Sequence, residues 1–550
     1  MSDTVQSKES SSSLYDVIVV GCGPTGANFA NYFRRFGHKV AIFDRDKEVF
    51  PAPRATGLDD ESMRVYQTLG LDSRLKEEGL VFDCDVQFQD YSGRVLMNFD
   101  RHNLGEDMLN GEHGHYGMIS FLQPALEEVL RDDFKEPGGA AAFLGYEVLS
   151  VTDCGTHTEL LAKNLDNDEE TLFRAKYIIG SDGGRSMVRR SMGFERIDLG
   201  YTEDYLVLDT IVDDEIYLKT RIPDGGIIQL DPKHSGVIFK SPKGNVRFDF
   251  LQHKGVVGEK LETDEEFQNA GKNLIEAAGL DPDKFRVIRH APYRFYAGMS
   301  SQWRKGRLFV AGDAAHLTPP WSGQGLNAAM RDCSNLSFKL HLVLSGKASE
   351  KILDTYFEER RHPQIHVIKG AVDTGKLMQT RNPFKIALRE LMFLASRKSR
   401  FVRRMAWSLW RRKPPYKQGL VGKRHKLSGN VFPQPKVFDA KGNHQMLDDL
   451  IGLNFALIST NFATGPAVER MVREIGGVVL KLGVDFSNPG GEVSDWFRKN
   501  KATTVLVRPD RYIFDAGNDG NTLCEALLGA LGSQSQAVET SILKHQESTA

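Results

Sequence analysis

The sequence is poor in cysteine and carries no bias of charge. Its five cysteines (Cys22, Cys84, Cys154, Cys333 and Cys524) lie far apart, with no CxxC and no Cys/His spacing suited to zinc. That excludes a disulfide framework and a zinc module, and predicts reduced thiols. A formal net charge of −2 gives no global attraction to nucleic acid, so any basic partner site must be local. No apolar run is long enough to span a bilayer, and the opening MSDTVQSKESSSSL lacks both the cationic start and the apolar core of a secretion signal. These absences predict a cytoplasmic protein with no nucleic-acid partner, no metal and no stable membrane insertion, and a disordered tail over residues 1–13. At 550 residues the chain is too long for one hydrophobic core.

What is present starts at Tyr15. The run YDVIVV is apolar and β-branched, and it is followed at once by GCGPTG and then by ANFANYFRRFG with apolar residues at helical spacing. Strand, tight turn and helix follow in that order. Gly21 permits the turn, Gly23 lets backbone approach a pyrophosphate, and Gly26 lets the helix pack on the strand; Pro24 and Thr25 complete the loop. A second strand, KVAIFD, ends in Asp44, with Arg45 beside it, eighteen positions after Gly26. A carboxylate there suits a ribose hydroxyl.

Two later strands also end in aspartate. YIIGSDGG delivers Asp182 and Gly183, and LFVAGD delivers Asp313. Ligands of open α/β sheets bind at such tips. A nicotinamide dinucleotide has no polyol, whereas the ribityl chain of FAD needs acceptors, which Asp313 supplies. Beyond it, Pro319 and Pro320 stiffen the approach to Gly323, Gln324, Gly325, Leu326 and Asn327, which open a helix. Bare backbone N–H groups there suit a flat ring, and the helix dipole suits negative charge on a reduced flavin. These residues are therefore assigned to the ring.

With these motifs in place, the chain resembles the group A flavoprotein aromatic hydroxylases, with the fold of p-hydroxybenzoate hydroxylase. The resemblance rests on GCGPTG, the Arg-Ala pair of PRATGLDDE, SFLQPALEE, SDGG and AGDAAHLTPPWSGQGLNAAMRD, and it covers nearly the whole length. Within the family, DDE at 59–61, DTYFEERR and LVRPDRY are most like 3-(3-hydroxyphenyl)propionate hydroxylases. The resemblance implies an α/β fold: a Rossmann-like FAD-binding domain over 14–390, interleaved with an antiparallel substrate sheet (about 84–120 and 195–300). A basic helical linker over 391–430 and a thioredoxin-like domain over 431–540 would follow, the latter without redox function for want of CxxC. It further implies that Arg54 and Gln123 contact FAD, that Asp182 serves both FAD and a transient NADPH or NADH, and that Asp313 holds the ribityl chain. The strands expected in the substrate sheet are YLVLDTIV, EIYLKTRI, GGIIQL, SGVIFK and NVRFDFLQ, and Arg221, Arg247 and Tyr296 are its candidates for the substrate's carboxylate or hydroxyl. The cations of RKSRFVRR and WRRK are expected on the watered face of a helix packed on the catalytic domain, the alternative being a basic amphipathic helix for membranes or acidic partners.

The implied activity is hydroxylation of a phenolic, phenylpropanoid-type substrate ortho to its hydroxyl, with NAD(P)H and O2, through a C4a-hydroperoxyflavin. His316, Asp59 and Tyr296 are candidates for proton transfer, and the sequence alone does not choose among them. Phenol hydroxylases of the family carry an aspartate where this chain has Thr56, which puts direct carboxylate-assisted deprotonation in doubt. A homodimer is an expected assembly, since several relatives are oligomers. The alternatives are a polyketide hydroxylase or halogenase of the same fold, although no WxW segment occurs, or a non-catalytic FAD-containing interaction protein.

Overall fold

The computed structural model describes residues 14–52, 54–78, 80, 85–100, 113–136, 138–252, 263–397, 399–411, 413–460 and 465–532. The expected tail over 1–13, Pro53, Cys84, the stretch 101–112 of the substrate sheet and residues 533–540 lie outside these. The chain divides into two compact units, one drawn from 1–111, 115–330 and 364–413, the other from 112–114, 331–363 and 414–550.

In the first unit the apolar run forms the strand Leu14–Val20, flanked in parallel by Val40–Asp44 and Glu170–Gly180. Leu308–Val310 lies beyond Glu170–Gly180 and Ala141–Leu144 beyond Val40–Asp44, so the parallel core has five strands. Val17 to Val20 are buried on both faces, which explains an unbroken apolar run where alternation would mark a one-faced strand. Gly21, Ser181 and Gly312 follow the ends of three neighbouring strands, so the sheet delivers all three motif loops to one edge.

A second sheet runs in the order His316–Leu317, Arg286–Ser300, Arg196–Ile211, Asn245–Leu251, Gly236–Lys240, Ile227–Gln229, Val86–Gln89, Val95–Phe99. Its pairs are antiparallel except Ile227–Gln229 with Val86–Gln89. Alternation works as expected here. Leu206, Leu208, Val246, Phe248 and Phe250 face a core closed by the helix Asp264–Ala277, while Val207, Arg247, Asp249 and Tyr293 face the opposite way, onto a cavity.

One expected strand is a helix. EIYLKTR folds as the helix Glu215–Arg221, because Asp214 caps it by accepting from the Tyr217 N–H (2.9 Å) and good helix formers follow. The basic stretch is also two helices rather than one, Pro383–Arg397 and Arg400–Arg411.

The second unit carries a four-stranded sheet in the order Val478–Lys481, Ala456–Ser459, Thr504–Val507, Ile513–Gly517, with the first pair parallel and the others antiparallel. Helices Pro466–Glu474, Glu492–Asn500 and Gly520–Leu531 connect or follow these strands. Residues 331–363, expected with the FAD-binding stretch, cluster in this unit because of buried charge. Lys339 Nζ lies 2.8 Å from Glu359, and the Arg508 guanidinium reaches Glu359 (2.7 Å) and Asp510 (2.6 Å), all fully buried. Charges taken out of water persist only when paired.

Candidate functional site

The phosphate loop has the backbone that its glycines require. Gly21 adopts φ +96°, and a Cβ there would meet the Ser181 carbonyl oxygen at 2.6 Å. At Gly26 a Cβ would lie 1.8 Å from the Gly21 oxygen. At Gly23 it would meet nothing within 4 Å. The first and third glycines serve packing, and the second faces open space. No side chain caps the helix Pro24–Arg35, which leaves its first turn to an anion. Asp44 is half-buried at the end of its strand and accepts from the Cys22 and Asp46 N–H groups, while Arg45 is exposed and points toward Asp46 (3.6 Å).

Asp182 holds the next loop. One oxygen accepts from Met187 N–H (2.7 Å) and Val188 N–H (3.1 Å), and the other is buried with no hydrogen-bond partner among the described residues. Arg189, which the sequence reading did not single out, donates to the carbonyls of Ala314 (2.9 Å) and Gly184 (3.3 Å) and ties this loop to that of Asp313.

Between the two sheets lies a cavity of about 490 Å³. Gly23, Pro24, Thr25, Gln123 and Gly183 line one part of it, and Asp313, Pro319 and Gly323 to Asn327 another. The Asp313 carboxylate opens into this space rather than onto protein atoms. Although the side chain is exposed to the cavity, partial desolvation in this recess raises its pKa, opposed by the neighbouring His316, Arg54 and Arg196. Gly323 adopts φ +59°, and a Cβ at Gly323 or Gly325 would meet nothing, so bare backbone borders the cavity there.

Gln123 does not cap its own helix. Its Oε1 accepts from the N–H groups of Arg54 (2.9 Å) and Ala55 (2.7 Å), and its Nε2 donates to Glu127 (2.7 Å). The Arg54 guanidinium, on the cavity wall, lies over the Phe50 ring (4.8 Å), and that of Arg289 lies 5.3 Å from the same ring. Asn327 is spent on structure. Its oxygen accepts from Asp59 N–H and Ser62 Oγ, and its nitrogen donates to the Gly57 and Gly323 carbonyls, which leaves the carboxamide nothing to offer a ligand.

The roof corrects the reading of its arginines. Arg221 is exposed on the helix Glu215–Arg221, donates to the Gly279 carbonyl (3.0 Å) and does not line the cavity. Arg247 does line it, but its Nε donates to Asp249 (2.8 Å) and its NH1 lies 3.7 Å from Asp209, which also pairs with Arg289 (3.1 Å). Cross-strand register makes this quartet, since Asp209 stands opposite both Arg247 and Arg289. Burial pushes the Asp209 carboxyl up, and the two guanidiniums oppose the shift. Tyr296 and Tyr293 stay 42% and 49% exposed, and both face the cavity.

The proton-transfer candidates separate. His316 is buried in its short strand beside Trp303, 5.3 Å between ring centroids, and is not on the cavity wall. His366, from the helix Thr355–Met378, presents an imidazole there instead. Asp59 lines the cavity but caps the helix Asp60–Thr68 and pairs with Lys413 Nζ (2.7 Å), which also reaches Glu61 (2.6 Å). Thr56 lies in the wall. Trp321 donates to Tyr201 Oη (3.1 Å), which lies 2.9 Å from Tyr205 Oη, and Gln379 donates to both hydroxyls (3.0 and 2.6 Å), so the wall beneath Trp321 is rigidly held.

The geometry fits a dinucleotide with a flat ring: an open Gly23, an unsatisfied Asp182 oxygen, a cavity-facing Asp313 and bare backbone at Gly323 and Gly325. Residues 14–371 match the family model described as FAD binding domain, and residues 429–530 match one described as HcaD C-terminal domain. A 3-(3-hydroxy-phenyl)propionate/3-hydroxycinnamic acid hydroxylase of Comamonas testosteroni is 27% identical, covering 92% of this chain and 95% of its own. One of the same name from Mycolicibacterium gilvum is 29% identical over 90% and 88%. Among solved structures, the flavin-dependent monooxygenase PieE in complex with FAD and substrate superposes with a TM-score of 0.79 at 20% identity, covering 95% of this chain and all of that one. Aklavinone-11 hydroxylase with FAD and aklavinone superposes at 0.75 and 23%, covering 94% and 99%.

Proposed function

Because this chain belongs to the FAD binding domain family, it is a flavoprotein, and we propose that it is a monooxygenase hydroxylating a phenolic, phenylpropanoid-type acid ortho to its hydroxyl at the expense of NAD(P)H and O2. The observation that carries this reading is the cavity itself. Glycine backbone forms its floor, Asp313 lies in its wall, and a polar antiparallel sheet closes over it. Bound FAD supplies the oxygen chemistry, and the chain supplies position and exclusion of water.

Gly23 and the first turn of Pro24–Arg35 would hold the pyrophosphate, Asp44 the ribose, Asp313 the ribityl hydroxyls, and Gly323 to Gly325 the ring. Asn327 acts behind them by locking the loop to the Gly57–Ser62 segment. Arg289 is our choice for the substrate carboxylate, because its side chain stays 26% exposed on the wall while Arg247 is 8% exposed and engaged with two aspartates. A phenol has an ordinary pKa of about 10 and reacts better as its anion, so a proton acceptor is needed. His366 is the imidazole on the wall that can take that role. The second unit, from its strand order, we read as thioredoxin-like with a packing role.

The test is direct. Purified protein should carry FAD, and a 3-hydroxyphenyl-substituted acid should accelerate anaerobic flavin reduction by NADH or NADPH and yield a catechol in air. Replacing Asp313 with Ala should deplete flavin far more than it lowers the melting temperature. Equal reduction rates with and without every phenol tried would refute the hydroxylase reading.

A further inference from the structure

The helix Pro383–Arg397 turns its apolar side the wrong way for a water-facing surface. Phe384, Ala387, Leu388, Leu391, Met392 and Ala395 recur at the three- and four-residue spacing that aligns side chains on one helix face. That face is open: Phe384 is 87% exposed, Leu388 67% and Leu391 65%. The helix buries Arg389, Phe393 and Ser396 instead. Arg389 donates to the carbonyls of Met378 (2.7 Å) and Leu230 (3.0 Å), and the Phe393 ring packs against Phe88 (5.4 Å). Rolling the stripe inward would break these contacts and strand a guanidinium. The next helix, Arg400–Arg411, adds Phe401 at 75% and Met405 at 48% exposed. Single exposed apolar residues need no explanation, but a continuous row does.

The charge around the row has one sign. Arg381, Lys385, Arg397, Arg400 and Arg404 flank it, and Glu390 is the sole acid in both helices, lying 3.5 Å from Arg94. No Asp or Glu follows until Asp439.

We propose that this stripe docks on an anionic lipid surface, with both helices lying in the plane of the interface, their apolar side chains inserted and their cations at the headgroups. A second copy is disfavoured by charge, since the cations flanking the row on each copy outnumber its one acid, Glu390, which lies beside Arg94. Among the described residues no helix is long and apolar enough to cross a membrane, so the contact is peripheral.

The experiment is co-sedimentation of the full-length, flavin-loaded protein with phosphatidylcholine vesicles, with and without phosphatidylglycerol. Binding to the anionic vesicles should be roughly tenfold tighter or more than to neutral ones and should weaken as salt rises. The double variant Leu388→Glu/Leu391→Glu should lose binding while keeping its flavin. Lys385→Glu/Arg400→Glu should lose the preference for anionic lipid. Four results would overturn the proposal: no sedimentation with anionic vesicles, equal binding to neutral ones, binding retained by both variants, or a wild-type dimer that Leu388→Glu dissociates.

Discussion

The Oε1 of Gln123 accepts the Arg54 backbone N–H at 2.9 Å, across 69 residues of chain. One side-chain oxygen therefore sets the position from which Arg54 enters the cavity, and it satisfies the Ala55 N–H as well. Replacing Gln123 with Leu leaves two backbone donors and the buried Glu127 carboxyl without this partner. Each unsatisfied group costs about 1–3 kcal/mol. The expected outcome is a lower melting temperature together with flavin affinity reduced by roughly tenfold, read by calorimetry and by flavin titration.

The glycines of the phosphate loop separate folding from binding. Gly23→Ala adds a methyl group to open space and should fold normally while binding flavin at least about tenfold more weakly. Gly26→Ala forces a carbon to within 1.8 Å of the Gly21 oxygen and should yield little soluble protein. Circular dichroism and flavin fluorescence together distinguish the two. A Gly23→Ala protein with unchanged flavin affinity would place the pyrophosphate elsewhere.

Arg289 and Arg221 form a matched pair for testing the roof. Arg289→Ala should raise KM for an arylpropionate by about tenfold or more and leave KM unchanged for a phenol without a carboxylate. Arg221→Ala should behave as wild type, because that side chain is exposed, donates to the Gly279 carbonyl and does not line the cavity. Steady-state kinetics on both substrates decide it.

Acid should unfold the protein partly through Glu359. Burial alone would raise its carboxyl, but Arg508 and Lys339 outweigh burial and hold it at about 2, below the ordinary 4.5. A depressed carboxylate gives stability that is complete above pH 4.5 and is lost as pH falls toward 2. Urea unfolding should therefore show stability falling with pH across this window. Glu359→Gln should flatten that slope and, by leaving Lys339 and Arg508 without their shared carboxylate, cost about 3–5 kcal/mol at neutral pH.

The phosphate loop could be read in the sequence because its requirements are local. A positive φ at Gly21, an open Gly23 and a crowded Gly26 follow from three residues and the strand and helix on either side. The three strand-end aspartates and most substrate-sheet strands were readable for the same reason, since apolar periodicity is a property of short segments. EIYLKTR shows the limit: alternation suggested a strand, and the single cap hydrogen bond from Tyr217 N–H to Asp214 made it a helix.

What tertiary structure alone decided was who meets whom. Arg247 is neutralised by Asp209, 38 positions earlier, only because two strands pair in that register. Lys413 reaches Asp59 from 354 residues away, and His366 rather than His316 faces the cavity. The outward direction of the stripe on Pro383–Arg397 depended on Arg389 finding carbonyls inside. Backbone conformation is set by near neighbours along the chain, whereas the free energy of a charge or an apolar face depends on what the fold brings against it.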